Sequence, residues 1–101
     1  MKADIIIIGG AGHIGLPLGI LFANKGKSII LYDKDKKYIK LINSSKMPFL
    51  EDGGERLLKK NKKRIFATSD KKFIKDASSV IICIGTPVKK SKPDLKFFFK
   101  M

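Results

Sequence analysis

Residues 5–8 are four isoleucines in succession, and Gly9-Gly10-Ala11-Gly12-His13-Ile14-Gly15 follows them directly. An unbroken β-branched run without polar alternation suits a strand buried on both faces, as in a parallel sheet. Gly10, Gly12 and Gly15 make G-x-G-x-x-G at the end of that strand. An amphipathic helical segment follows over about 13–25, and a second apolar run then ends in Asp33, 18 residues beyond Gly15. A strand, glycines, a helix, a strand and an acid in this order define a βαβ unit built to bind a dinucleotide.

Each part of the motif has a physical task. Gly10 permits a tight exit from the strand, Gly12 lets the backbone approach a pyrophosphate, and Gly15 lets helix and strand pack closely. The helix start presents unpaired N–H groups and the positive end of its dipole to the phosphates. Asp33 can accept hydrogen bonds from ribose hydroxyls and would repel a 2′-phosphate, which favours NAD over NADP; Lys34, Lys36 and Lys37 act against that preference. His13 is the only histidine. A helix N-terminus disfavours imidazolium, and no acid or nucleophile accompanies His13, so packing against cofactor or loop suits it better than catalysis.

The second half continues the alternation. Expected elements are strands at 28–32, 64–68 and 79–84, and helices at 36–43, 55–62 and from Ser69 or Asp70 to about 75. The first helix carries Ile14, Leu18, Leu21 and Phe22 at helical spacing, with Pro17 tolerable in its first turn and Gly26 suited to its C-terminus. The second helix puts Tyr38, Ile39 and Ile42 on one side, and 46–54 reads as a loop. This is an α/β chain with a Rossmann-type parallel sheet in the order 3-2-1-4, a truncated doubly wound fold. Thr86, in Gly85-Thr86-Pro87 after the last strand, stands where ligands gather in such sheets, though a turn threonine before a proline fits the same pattern. Cys83 lies in the apolar run 80–84 and reads as a small core residue rather than a nucleophile.

Length and composition set the outer bounds. A chain of 101 residues makes one small domain, here 1–88, with 89–101 as the start of an incomplete segment or tail. No apolar run approaches the roughly 18–20 residues that span a bilayer, and Asp4 interrupts any signal-peptide core. One cysteine excludes an internal disulfide framework and suits the cytoplasm. No cluster suggests a metal site. The net charge of +13 comes mainly from lysines scattered through helices and loops. They lack the interleaved aromatics of a nucleic-acid platform, so they read as solvated faces that draw in an anionic cofactor.

The chain resembles the UDP-glucose/GDP-mannose dehydrogenase family, the NAD-dependent nucleotide-sugar 6-dehydrogenases. The likeness runs through Gly12-His13-Ile14-Gly15-Leu16-Pro17-Leu18, Tyr32-Asp33-Lys34-Asp35, Leu41-Ile42-Asn43 and Pro48-Phe49-Leu50-Glu51. It continues in Arg64-Ile65-Phe66-Ala67-Thr68-Ser69-Asp70 and in 80–87. The resemblance implies that residues 10–15, Ala11, His13 and Ile14 among them, hold the pyrophosphate of NAD. It assigns Asp33 to the adenosine ribose and Thr86 to the cofactor near the fourth strand. Tyr38 stands where the family often has a cofactor-contacting lysine, and Lys37 is the implied substitute. His13 replaces a common aromatic, and Gly54 replaces an apolar residue.

Such enzymes oxidise a sugar C6 alcohol to the acid and serve polysaccharide biosynthesis. Their catalytic cysteine and its partners fall in later regions, so this chain is expected to bind NAD, to meet a nucleotide sugar only with further domains, and to hold no catalytic residue. The competing reading is a free-standing basic nucleotide- or polyanion-binding module, with steeply salt-dependent affinity. An uncovered fourth strand and the Phe97, Phe98, Phe99 triplet add an expectation of self-association.

Overall fold

The computed structural model describes residues 2–85 and 95–100. Strands β1 (Ala3–Ile8), β2 (Ile29–Tyr32), β3 (Ile65–Thr68), β4 (Ala77–Gly85) and β5 (Leu95–Lys100) form one sheet in the order β3-β2-β1-β4-β5. The first four are parallel, in the expected order, with Ile6 opposite both Ile30 and Val80. β5 runs antiparallel to β4, with Phe98 opposite Ile82. The expectation that β4 is an uncovered edge is therefore corrected: β5 occupies it, and the outer strands are β3 and β5. Residues 86–94, including Thr86, lie outside the described residues.

Among the described residues, three α-helices join these strands: α1 (Gly15–Asn24), α2 (Lys36–Asn43) and α3 (Gly54–Lys60). Short 3₁₀ turns occupy Lys62–Arg64 and Lys71–Asp76. The central strands are apolar because both of their faces are covered. On one face Ile7, Ile29 and Leu31 pack against Leu16 and Ile20 of α1, Ile39 and Ile42 of α2 and Leu58 of α3. On the other, Ile6 and Ile30 pack under Phe66, Phe73 and Ile74, with the Phe73 ring edge-on to Phe66 at 5.0 Å. The opposite face thus relies on a 3₁₀ turn where the first face has three helices.

The buried side of α1 differs from expectation. Gly15, Leu16, Gly19, Ile20 and Ala23 are buried, whereas Leu21 is 55% exposed. The helix has no charged residue, so it lacks the polar contrast of an amphipathic segment, and close approach decides its orientation. A Cβ on Gly19 would stand 2.6 Å from Leu31 Cδ2, so glycine allows α1 to lie directly on β2. At the far end of α1, Gly26 adopts φ +95°, Gly26 N–H donates to Ala23 O and Lys27 N–H to Phe22 O. This paired closure is a Schellman motif, as the glycine's position suggested.

The remaining boundaries follow local capping. Asp35 caps α2 by accepting from Tyr38 N–H at 3.1 Å, and Asp70 accepts from Lys72 N–H at 3.0 Å. Buried Asn61 donates to Leu57 O and to Asn24 Oδ1, joining the end of α3 to the end of α1. The side-chain amide of Asn43 donates to Ala67 O at 2.9 Å and accepts from Ala67 N–H at 3.3 Å. It acts as a substitute strand on the outer edge of β3. Gly54 is buried at the start of α3, where a side chain would meet Met47 Cε at 3.0 Å and Glu51 Cβ at 3.1 Å. The glycine is therefore matched to its loop.

Candidate dinucleotide site

The site lies where β1 and β2 end. The left-handed exit from β1 belongs to Gly9, at φ +83°, and not to Gly10 as the motif suggested. A Cβ on Gly9 would collide with the Cys83 carbonyl oxygen of β4. Gly10 is needed for contact: its Cβ would stand 2.8 Å from Leu31 Cβ. Gly15 keeps the role expected of it, because a Cβ there would strike Gly9 O and hold α1 away from the strand. Gly12 alone of these opens outward, with Gly9 O at 3.4 Å the only atom within 4 Å of its added Cβ.

The end of β2 sets the loop's shape. Gly9 N–H and Gly10 N–H both donate to Tyr32 O at 2.9 Å. Ala11 N–H donates to Asp33 Oδ2 at 3.0 Å, and Gly12 N–H to Gly9 O at 3.2 Å. Leu16 N–H reaches Gly12 O at 3.1 Å, and Pro17 has no N–H. Among the described residues, the N–H groups of His13, Ile14 and Gly15 donate to no protein acceptor. No side chain caps α1 there. Adjacent open donors at an uncapped helix start, above a glycine, make an anion cradle.

Asp33 is half-buried beside this cradle. Its Oδ1 accepts Asp35 N–H at 3.0 Å, and its own N–H donates to Thr68 O at 3.1 Å. The carboxylate therefore retains acceptor sites for a ligand's hydroxyls. Lys37 stands exposed on the first turn of α2. His13 is exposed and stacks on Phe49, with centroids 4.1 Å apart and rings at 20°. The stack brings the 46–53 loop to the mouth of the cradle, with Leu50 fully exposed beside it. Sequence reasoning missed Gly9, because the motif is counted from Gly10. It also missed Phe49, whose partner is 36 residues away.

Burial pushes the Cys83 thiol above its ordinary value of 9.0, which keeps it protonated and unreactive near neutrality. Exposed lysines occur on α3 on one sheet face and on the 3₁₀ turn Lys71–Asp76 on the other. Among the described residues, Lys59–Glu55 at 4.0 Å and Lys72–Asp70 at 3.7 Å are the ion pairs formed. Among the described residues, the lysines lie on both faces of the sheet rather than on one. No described helix is long and apolar enough to cross a membrane.

A parallel sheet with a glycine turn, an open helix start and an acid at the end of the next strand defines a dinucleotide-binding α/β domain. Residues 3–101 match the UDP-glucose/GDP-mannose dehydrogenase family, NAD binding domain, and the chain belongs to that family. It is similar to the UDP-N-acetyl-D-mannosamine dehydrogenase of Pyrococcus horikoshii, 34% identical over 94 residues covering 91% of this chain and 22% of that one. It is also similar to the GDP-mannose 6-dehydrogenase of Pseudomonas aeruginosa, 36% identical over 89 residues covering 85% of this chain and 20% of that one. The solved structure of a ternary complex of the Pseudomonas aeruginosa GDP-mannose dehydrogenase superposes with a TM-score of 0.79 at 35% identity, over 90% of this chain and 22% of that one. The chain thus spans about a fifth of the length of these relatives.

Proposed function

We propose that this chain supplies the NAD site of a nucleotide-sugar 6-dehydrogenase, an enzyme that oxidises the C6 alcohol of a UDP- or GDP-sugar to the acid in polysaccharide biosynthesis. The observation that carries this reading is the run of open N–H groups at His13, Ile14 and Gly15, above outward-facing Gly12 and beside Asp33. The pyrophosphate fits that run, with residues 10–15 around it. The adenosine ribose fits the spare acceptor sites of Asp33, and the family resemblance assigns Lys37 to the cofactor. Thr86 is assigned to the cofactor by the family resemblance. When bound, NAD supplies a hydride acceptor; this chain's residues bind and orient it.

None of the residues 2–85 is assigned a chemical step, and the sugar site belongs to further domains of such an enzyme. The free thiol of Cys83 fits a reducing cytoplasm. Self-association now rests on the outer edge of β5, which light scattering would detect. Calorimetric titration of NAD into the wild-type chain tests the main reading. Saturable one-to-one binding is expected, and its absence would overturn the reading.

A further inference from the structure

We infer that Asp33 is a positioning residue for the phosphate cradle in addition to a ribose partner, an inference that rests on the dinucleotide reading above. Of the N–H groups of residues 9–12, those of Gly9, Gly10 and Gly12 are held by main-chain carbonyls, and that of Ala11 is held by the Asp33 carboxylate at 3.0 Å. The other carboxylate oxygen accepts Asp35 N–H at 3.0 Å. Asp33 therefore ties the glycine loop to the β2–α2 turn from within the protein. The tie matters because Gly9, Gly10 and Gly12 surround it, and glycine backbones roam widely when nothing restrains them. A loop ordered in advance spares the ligand the entropic cost of ordering it. Each carboxylate oxygen accepts more than one bond, so the clamp and the ribose contact coexist.

The two roles separate when the ligand lacks ribose hydroxyls. ADP and 2′,3′-dideoxy-ADP carry the same diphosphate, but the second offers Asp33 nothing to bind. Calorimetric titration of both into wild type and Asp33→Ala is the test. A residue acting only on the ribose leaves dideoxy-ADP affinity unchanged, or raises it by removing a negative charge near the phosphates. A residue that also shapes the cradle makes Asp33→Ala bind dideoxy-ADP roughly tenfold more weakly. Hydrogen exchange gives the readout without ligand: the Ala11 amide is protected in wild type and exchanges about tenfold faster in Asp33→Ala, with Ile6 and Ile30 amides unchanged. If the Ile6 and Ile30 amides also lose protection, the same ligand pair is run on Asp33→Asn, which keeps one acceptor oxygen and is expected to fall between the two. Unchanged dideoxy-ADP affinity in a folded variant, alongside weakened ADP, overturns the inference alone. A wild type that binds neither ADP nor NAD overturns the functional reading and the inference with it.

Discussion

The end of β1 and the outer edge of β3 treat the same chemical problem in opposite ways. Both expose main-chain polar groups at a boundary of the sheet. On β3 a side chain closes them: Asn43 takes both the N–H and the carbonyl of Ala67, so the edge is satisfied from within. At the start of α1 no side chain does so, and the donors of His13, Ile14 and Gly15 remain open. Open and satisfied groups differ in what they do. The satisfied pair contributes stability, because losing it leaves the N–H and carbonyl of buried Ala67 without their partner. On the proposed reading the open set contributes affinity, because its partners come from outside.

That contrast predicts which substitutions damage the fold and which damage binding. The largest expected effect is that of Gly9→Ala. It forces a left-handed residue and a collision with the Cys83 carbonyl, costing about 3 kcal/mol or more of the folding free energy in urea denaturation. Asn43→Ala should cost about 1–2 kcal/mol in the same assay while leaving NAD affinity within twofold of wild type. Gly12→Ala should do the reverse. Its Cβ has room in the free protein, so the denaturation midpoint stays put while NAD binds roughly tenfold more weakly, about 1.4 kcal/mol. If Asn43→Ala weakened NAD as much as Gly12→Ala, the division would break down.

Smaller effects sharpen the picture. Phe49→Ala removes the stack on His13 and should cost about 0.5–1 kcal/mol of stability, read from the thermal midpoint. Cys83 adds a pH dependence. Its folded-state value lies above that of the unfolded chain, so the folded state keeps the proton longer. The resulting stability is fully present below about pH 9 and is lost as pH rises through the folded value. Denaturation at pH 8 and at pH 9.5 should therefore show a fall that is shallower in Cys83→Ala.

The legible parts of this fold were those written locally. Four isoleucines specify a doubly covered strand, the glycines and Asp33 specify a βαβ dinucleotide turn, and Asp35 marks the start of α2 at Lys36. What the sequence hid depends on partners far along the chain. Position 9 requires glycine because its φ is positive and the Cys83 carbonyl stands where a Cβ would go, which no glycine pattern reveals. The buried side of α1 follows Gly15, Gly19 and Ala23 because β2 comes close to them, while apolar spacing also allowed Leu21 to be inside. Asn43 and Asn61 read as ordinary polar residues until Ala67 and Asn24 are placed against them. β5 pairs with β4 by tertiary choice, and its sequence carries no period that singles it out.

Tyr32 and Asp33 hold the N–H groups of Gly9, Gly10 and Ala11, and on the proposed reading those of His13, Ile14 and Gly15 are thereby left to face the pyrophosphate. Amide chemical shifts followed during titration with NAD test it most directly. Saturable shifts are expected, largest at His13, Ile14 and Gly15, with Ala67 and Asn61 still. Shifts centred on the lysines of α3, or none near Gly12, would contradict it.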